Sequence, residues 1–565
     1  MKKLMLIITA VVLTTSVSLA QVNQSNVDQT GTDNGATVEQ VGLLNMSDVA
    51  QIGNDNTAGV TQSGMLNQSF ITTWGSANSA MVNQMGTNYS TIFQWGNDNS
   101  ADVTQTMGNH STINQFWTVN NSASVEQYGF NTSVVNQFIG VDNIAGVYQW
   151  GMNYSEINQT FSEWVEAYVE QYGFFNESYV NQSSVWDIAN VLQDGWFNLS
   201  YVNQEDNFWS NALINQYGDY NWAKVDQADG YRDFAGIIQD GYANQARIRQ
   251  YGNESNWAGI VQTGMFNLAD VYQVDGIVNS SYVTQEGNAN WAFTNQIGGF
   301  FNDIEVEQFN NFNTAVVNQN EGEFNTAYVG QSGDWNLAQI KQEKGANNYA
   351  GIAQVGNVNN ASIKQIKGEM NWAGLVQIGD FNKATGIQRK GSGNEMYSEQ
   401  AGNENTVMMK QIGGEVNMAE VYQIGDNNYT YTKQIGGVSN SIFVEQEGTM
   451  NYTETYQFGG EGNLAIVNQL GNHNYSGILQ QNVTNSGADV NQSGDFNESV
   501  ILQYNGDANF AIVTQTGDYN YSGILQDGSF NEAEVTQDGL GHLSVVMQNG
   551  NGNSALVEQA NTVNP

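Results

Sequence analysis

Inward-type and outward-type residues alternate along the chain with a period of two, in short runs that restart every 10 to 12 residues. In Asn221-Trp222-Ala223-Lys224-Val225-Asp226-Gln227, the Asn, Ala, Val and Gln fall on one side and Trp, Lys and Asp on the other. Alternate side chains point to opposite faces of a β-strand, so each run predicts one strand. The spacing of two never becomes the three or four that a helix requires. The same frame returns at Asn256, Ala258 and Gln262, and again in Asn531-Glu532-Ala533-Glu534-Val535-Thr536-Gln537.

Gln marks the period. It recurs at Gln29, Gln40, Gln51 and Gln62 and continues to Gln526, Gln537, Gln548 and Gln559; with Thr73 as a substituted member the series has 48 positions. Asn stands six residues earlier in 42 of them, failing at Val165, Asp187, Ser210, Asp233, Ser486 and His542. Two residues before the Gln the position is aliphatic except at Thr294, Gly386, Ser398, Thr432 and Thr455. Four residues before it, Ser and Ala alternate from Ser25, Ala36, Ser47 and Ala58 through Ala212, drift in the middle, and alternate again with the same parity from Ala465 to Ala555. The true unit is therefore a pair of unlike strands. About 24 coils of 22–23 residues follow, an all-β, two-sheet parallel β-solenoid of cross-β type with inward Asn and Gln ladders. Coils stacked at ~4.8 Å let identical amides donate to and accept from one another, which satisfies polar groups inside the fold. Gly two or three residues after many of these Gln suits turns that need positive φ.

Composition now has a cause. A length of 565 residues would ordinarily suggest several globular domains, but the repeat makes residues 21–559 one array, with 560–565 as a short tail. The only proline is Pro565, as expected where any strand proline would break a ladder. The absence of Cys excludes disulfides, thiolate metal sites and cysteine nucleophiles. The formal net charge of -41 opposes nucleic-acid binding. Residues 1–20 read as a cleaved secretory signal: Lys2 and Lys3, an apolar run from Leu4 to Leu13, and Ser18-Leu19-Ala20 at the cut. No later segment approaches the ~20 apolar residues of a membrane-spanning helix.

The unit Gln216-Tyr217-Gly218-Asp219-Tyr220-Asn221-Trp222-Ala223-Lys224-Val225-Asp226-Gln227 resembles the repeat of curlins, Gln-x-Gly-x-x-Asn-x-Ala-x-x-x-Gln. The resemblance extends from about Val22 to Gln559, in an unusually long version. It implies a curli-type functional amyloid subunit, secreted by a diderm bacterium and polymerised outside the cell as a surface fibre for biofilm matrix and adhesion. Self would be the main partner, with a nucleator subunit and an outer-membrane export apparatus as further ones.

The ends of the array are the expected polymerisation edges. Asn23 to Gln29 already forms a full strand, and Asn553 to Gln559 forms another. A solenoid that stays monomeric needs polar caps over its terminal coils. Head-to-tail growth would bring Glu558 near Glu39 of the next copy, a like-charge contact sensitive to salt and pH. Beyond the signal, all the basic residues lie between Lys224 and Lys433, among them Lys341, Lys344, Lys364, Lys367, Arg389 and Lys390. Outward aromatics just after the ladder Asn, including Trp222, Trp257, Trp291, Trp372, Tyr475 and Tyr521, are candidates for a stacking surface or for packing that stiffens the sheet. His110, His473 and His542 are too dispersed for a metal site, and no catalytic or cofactor-binding constellation is expected. The rival expectation is a non-polymerising surface solenoid that binds a glycan or ice.

Overall fold

A computed structural model describes residues 22–561. The expected signal segment and the last four residues of the expected tail lie outside the described residues; Ala560 closes the final strand. The described chain is built from 46 strands, numbered β1 (Gln24–Thr32) to β46 (Ser554–Ala560) in order, with no helix among them. Among the described residues no helix is therefore long and apolar enough to cross a membrane. The chain divides into two compact units, one up to Phe266 and one from Asn267.

Within each unit a strand pairs in parallel with the strand two further on, one coil away. β1 pairs with β3 (Met46–Asn54) through Val27↔Val49 and Gln29↔Gln51. β17 (Trp222–Ala228) pairs with β19 (Gln245–Tyr251) through Val225↔Ile248 and Gln227↔Gln250. In the second unit, β44 (Glu532–Leu540) pairs with β46 through Val535↔Val557 and Gln537↔Gln559. Like stacks on like because a one-residue slip would turn every inward side chain to solvent. Odd-numbered strands form one stack and even-numbered strands the other. The expectation of two separate sheets needs one correction. β12 (Ile144–Thr160) and β13 (Glu166–Val185) each run unbroken through a corner and belong to both stacks, so the pairing network is formally one sheet.

The inner faces of the two stacks meet and form the core. Val225, Ile237, Ile260 and Val535 are buried there, and each such side chain contributes roughly 1.5–3 kcal/mol by leaving water. Positions four and two before the Gln face each other across the core: Ser281 Oγ lies 2.7 Å from Thr294 Oγ1. This contact explains an irregularity of the repeat. A Cβ added to Gly386 would meet Met396 Sδ at 2.9 Å, so the small residue at one site makes room for the large one opposite. Close packing tolerates such exchanges when total volume is kept.

Two left-handed positions shape each corner. The Gly after the ladder Gln has φ of 122° at Gly53 and 131° at Gly241. A Cβ at Gly241 would stand 2.0 Å from the carbonyl oxygen of Gly264 one coil on, so only glycine fits. The second position, just before the ladder Asn, is left-handed yet is often bulky: φ is 59° at Phe197 and 61° at Trp209. Such a conformation costs a non-glycine residue roughly 1–2 kcal/mol. Stacking along the corner supplies an offset of similar size, about 0.5–1.5 kcal/mol per ring pair. Phe197 lies between Phe175 and Tyr220, with ring centroids 4.9 Å apart on both sides.

Candidate functional site

The ladders are the repeated chemical feature of the interior, and the two amides work differently. Where Gln stacks on Gln, the side-chain N–H donates to the Gln oxygen of the next coil: Gln204 to Gln227 at 2.9 Å, Gln227 to Gln250 at 2.9 Å, and Gln537 to Gln559 at 2.8 Å. A second N–H of the same amide reaches a backbone carbonyl of the opposite stack, as from Gln262 to Gln245 at 2.9 Å and from Gln537 to Tyr521 at 2.9 Å. The Asn ladder runs the other way. The backbone N–H of Asn221 donates to Asn198 Oδ1 at 2.9 Å, and Asn244 donates to Asn221 at 3.1 Å. Asn531 likewise receives the backbone N–H of Asn553 at 3.2 Å while its own amide donates to the Gly550 carbonyl at 2.8 Å. The Asn therefore ties side chain to backbone at the corner, and in many coils it also keeps the expected amide-to-amide bond, as from Asn99 to Asn78 Oδ1 and from Asn553 to Asn531 Oδ1, both at 2.9 Å. Ala223, Ala258 and Ala533 are buried between the Asn and aliphatic rows.

The even-stack Asn row is interrupted at Val165, Asp187, Ser210 and Asp233, on successive coils. Asp187 is 0% exposed and Asp233 2%. Asp187 Oδ1 accepts the Ser210 backbone N–H at 2.7 Å, and Asp233 Oδ1 accepts the Asn256 backbone N–H at 2.8 Å. Each keeps the Asn acceptor role, but the second oxygen of each carboxyl finds no hydrogen-bond partner. Burial pushes Asp187 up to about 6. Burial, with the charges of Asp187 and Glu254, pushes Asp233 up to about 7. The neighbouring Arg232 guanidinium lies over the Trp209 and Tyr231 rings, 4.7 and 4.9 Å from their centroids.

At the outer edges the ladders stop with unused groups of opposite kind. In β1, Gln29 donates to Gln51 at 2.6 Å, but no described donor reaches its own oxygen. Asn23 accepts from the Asn45 backbone and donates to the Gln40 carbonyl at 3.4 Å. In β46, Gln559 accepts from Gln537 and donates one N–H to the Leu543 carbonyl at 3.0 Å, leaving its other N–H without a described acceptor. Asn553 donates twice to Asn531, and no described donor reaches its oxygen. One edge thus offers Gln acceptors and the other Gln donors. Glu39, on β2 (Gly35–Leu43), and Glu558 both lie exposed on outward positions of the even stack.

The outward aromatics are placed unevenly. Trp372 stacks on Tyr349 with centroids 5.9 Å apart, Tyr475 on Tyr452 at 5.5 Å, and Trp257 meets Phe234 edge-on at 5.8 Å. Trp222, Trp291 and Tyr521 pair in register with Gln245, Thr314 and Leu543, which are not aromatic. Tighter ring columns occur at the left-handed corner position, which sequence reasoning passed over: Phe312 on Trp335 at 4.3 Å, and His473, Phe496 and Tyr519 at 4.6 and 4.9 Å. Large residues directly before the ladder Asn were the available signal.

Six segments match the curlin associated repeat: 53–86, 75–106, 414–448, 484–517, 506–539 and 531–560. No curated protein matches the chain in sequence. The matched segments lie in both units, and the same strand, ladder and turn geometry continues between them. By these segments, the chain carries curlin associated repeats in both of its units.

Proposed function

We propose that the chain is a secreted structural subunit that assembles edge to edge into extracellular curli-like amyloid fibres, serving biofilm matrix and cell adhesion. The observation that carries this reading is the complementarity of the two outer edges. The last strand, β46, belongs to the even stack and the first, β1, to the odd stack, so a following copy would continue the alternation without a missing or doubled strand. The unused Gln donors of β45 (Leu543–Asn549) and β46 would then meet the unused Gln oxygens of β1 and β2. Unpaired strand edges template further strands, and stacked identical amides stabilise the cross-β result. The signal expected at residues 1–20 supports export, and the curlin repeats support a surface location and a structural role without catalysis. A nucleator subunit and an outer-membrane exporter are the expected partners.

The test blocks one edge and leaves the fold intact. Gln24 directs its N–H to Asn45 and Gly35 to Asn56, so in parallel strands the alternate residues, including Val27 and Val38, direct theirs outward. Proline is tolerated where the missing N–H faces solvent. The double variant Val27→Pro, Val38→Pro should fold but stop lengthening under electron microscopy, whereas the unaltered chain elongates from seeds. Elongation of the variant at the unaltered rate would refute edge-to-edge growth. Particles of the unaltered chain that never lengthen would favour a discrete surface binder.

A further inference from the structure

In the middle of the second unit the two outer faces carry opposite charge. On the odd stack, strands β27 (Leu337–Ala346), β29 (Asn360–Ile366), β31 (Lys383–Arg389), β33 (Thr406–Ile412) and β35 (Tyr429–Ile435) present Lys341, Lys364, Lys383, Arg389, Lys410 and Lys433 outward. The single acid among those outward positions is Glu343, paired with Lys341 at 3.0 Å. On the even stack, strands β32 (Glu395–Ala401), β34 (Met418–Ile424) and β36 (Ser441–Glu447) present Glu395, Glu399, Glu420, Glu445 and Glu447 outward. No Lys or Arg occupies the described even-stack strands of this unit. Because the inner faces of the stacks meet in the core, these outer faces lie on opposite sides of the unit.

Neither face is neutralised within the molecule. Lys341 stacks in register on Lys364, and Lys410 on Lys433, so like charges sit on adjacent coils. Lys410 and Lys433 lie over the Tyr431 and Phe458 rings, at 5.3 and 5.4 Å, and not against carboxylates. Among the described residues no ion pair engages Lys364, Lys383, Arg389, Lys410 or Lys433. On the acidic face, burial and the charge of Glu395 hold Glu420 above the usual carboxylate range. Like charges stacked one coil apart oppose the fold, and a partner of opposite sign relieves them.

We propose that the lysine face of one copy docks on the glutamate face of a second copy, so that assemblies widen side by side. Charge complementarity selects a second copy as the occupant. Both faces are built from coils of one pitch, so charges spaced by whole coils on one face meet charges spaced by whole coils on the other over the three acidic coils. The contact is heterologous, since different surfaces meet, and each docked copy leaves a free lysine face and a free glutamate face for the next. Widening does not depend on lengthening, so the inference stands or falls separately from edge-to-edge growth.

The experiment images the width and length of assemblies of the full chain at about 20 mM and about 500 mM NaCl, which bracket weak and strong screening. The unaltered chain should widen at low salt and keep a single width at high salt. The variant K341Q/K364Q/K410Q/K433Q should keep a single width in both, with its lengthening unchanged. The reversal variants K364E/K410E/K433E and E399K/E420K/E445K should each stay narrow alone and widen when mixed, which also shows that both are folded. Low-salt widening that survives the four Lys→Gln changes would overturn the proposal. So would failure of the mixed variants to widen, or binding of added poly-glutamate by a chain that never widens, which would assign the lysine face to an anionic polymer.

Discussion

Replacing Asp233 with Asn should strengthen the coils around it, and by an amount set by pH. Asp233 sits in an Asn row with one oxygen unsatisfied, and its pKa is pushed up from 3.8 to about 7. A raised carboxyl pKa means that the folded chain holds a proton that the unfolded chain has released. Between about pH 4 and pH 7 the native state therefore binds more protons, and stability falls as pH rises, levelling off above 7. A pKa raised by one corresponds to about 1.4 kcal/mol, so the charged carboxylate costs on the order of 4 kcal/mol at pH 8 and almost nothing at pH 4. Asp187, raised to about 6, adds a smaller cost over a lower window, and its charge helps to raise Asp233. The Asp233→Asn side chain would keep the acceptor that Asn256 uses and present an amide in place of the orphaned oxygen. Its N–H would take the role seen at Asn302, which donates to the Gly322 carbonyl at 2.9 Å. Stability in a repeat array is local, so the assay is amide hydrogen exchange of β14 (Ile188–Trp196), β16 (Asn211–Asp219) and β18 (Phe234–Tyr242), corrected for intrinsic rates. Unaltered protein should lose protection from pH 5 to pH 8, and Asp233→Asn should remove most of that loss. Protection that rises with pH, or a variant with an unchanged slope, would refute the reasoning.

Three further substitutions probe other links. Gly241→Ala forces a Cβ to within 2.0 Å of the Gly264 carbonyl oxygen at a φ of 131°, and should cost about 2 kcal/mol or more, read as lost exchange protection in the two adjoining coils. Ser133 is buried and its hydroxyl has no hydrogen-bond partner, so Ser133→Ala should be neutral or stabilising by up to about 1 kcal/mol in the same assay. Glu558→Gln removes one member of the like-charge contact expected at the growing junction; lengthening should accelerate at low ionic strength and match the unaltered rate at about 500 mM NaCl.

The strand frame was legible because its inner positions are so restricted: Asn221, Ala223, Val225 and Gln227 declare a period of two, and the Ser and Ala parity declares two unlike stacks. The turn glycines were legible for the same reason. What remained hidden depends on contacts between residues distant in sequence or on backbone shape. Nothing in Phe197 or Trp209 announces a left-handed conformation, because it is stabilised by rings one coil away. That the Asn oxygens also accept a backbone N–H from the next coil is something composition does not reveal. Gly386 breaks the frame when read alone and fits it once Met396 is placed opposite. The lysines cluster visibly between Lys224 and Lys433, but their separation from the glutamates by face requires knowing which coil each occupies. Asp187 and Asp233 were legible as exceptions, while their orphaned oxygens were not.

The central claim is that the chain coils with 22–23 residues per rung and that copies add at the edges. Mass per length of single unbundled filaments tests it most directly. At about 110 Da per residue, one coil weighs about 2.5 kDa and advances ~4.8 Å, which predicts about 5 kDa per nanometre. Scanning transmission electron microscopy at about 500 mM NaCl, where side-by-side contacts are screened, should return that value. A value many times larger, as when each chain contributes only one or two layers, would contradict the account, as would particles that never grow beyond a single chain.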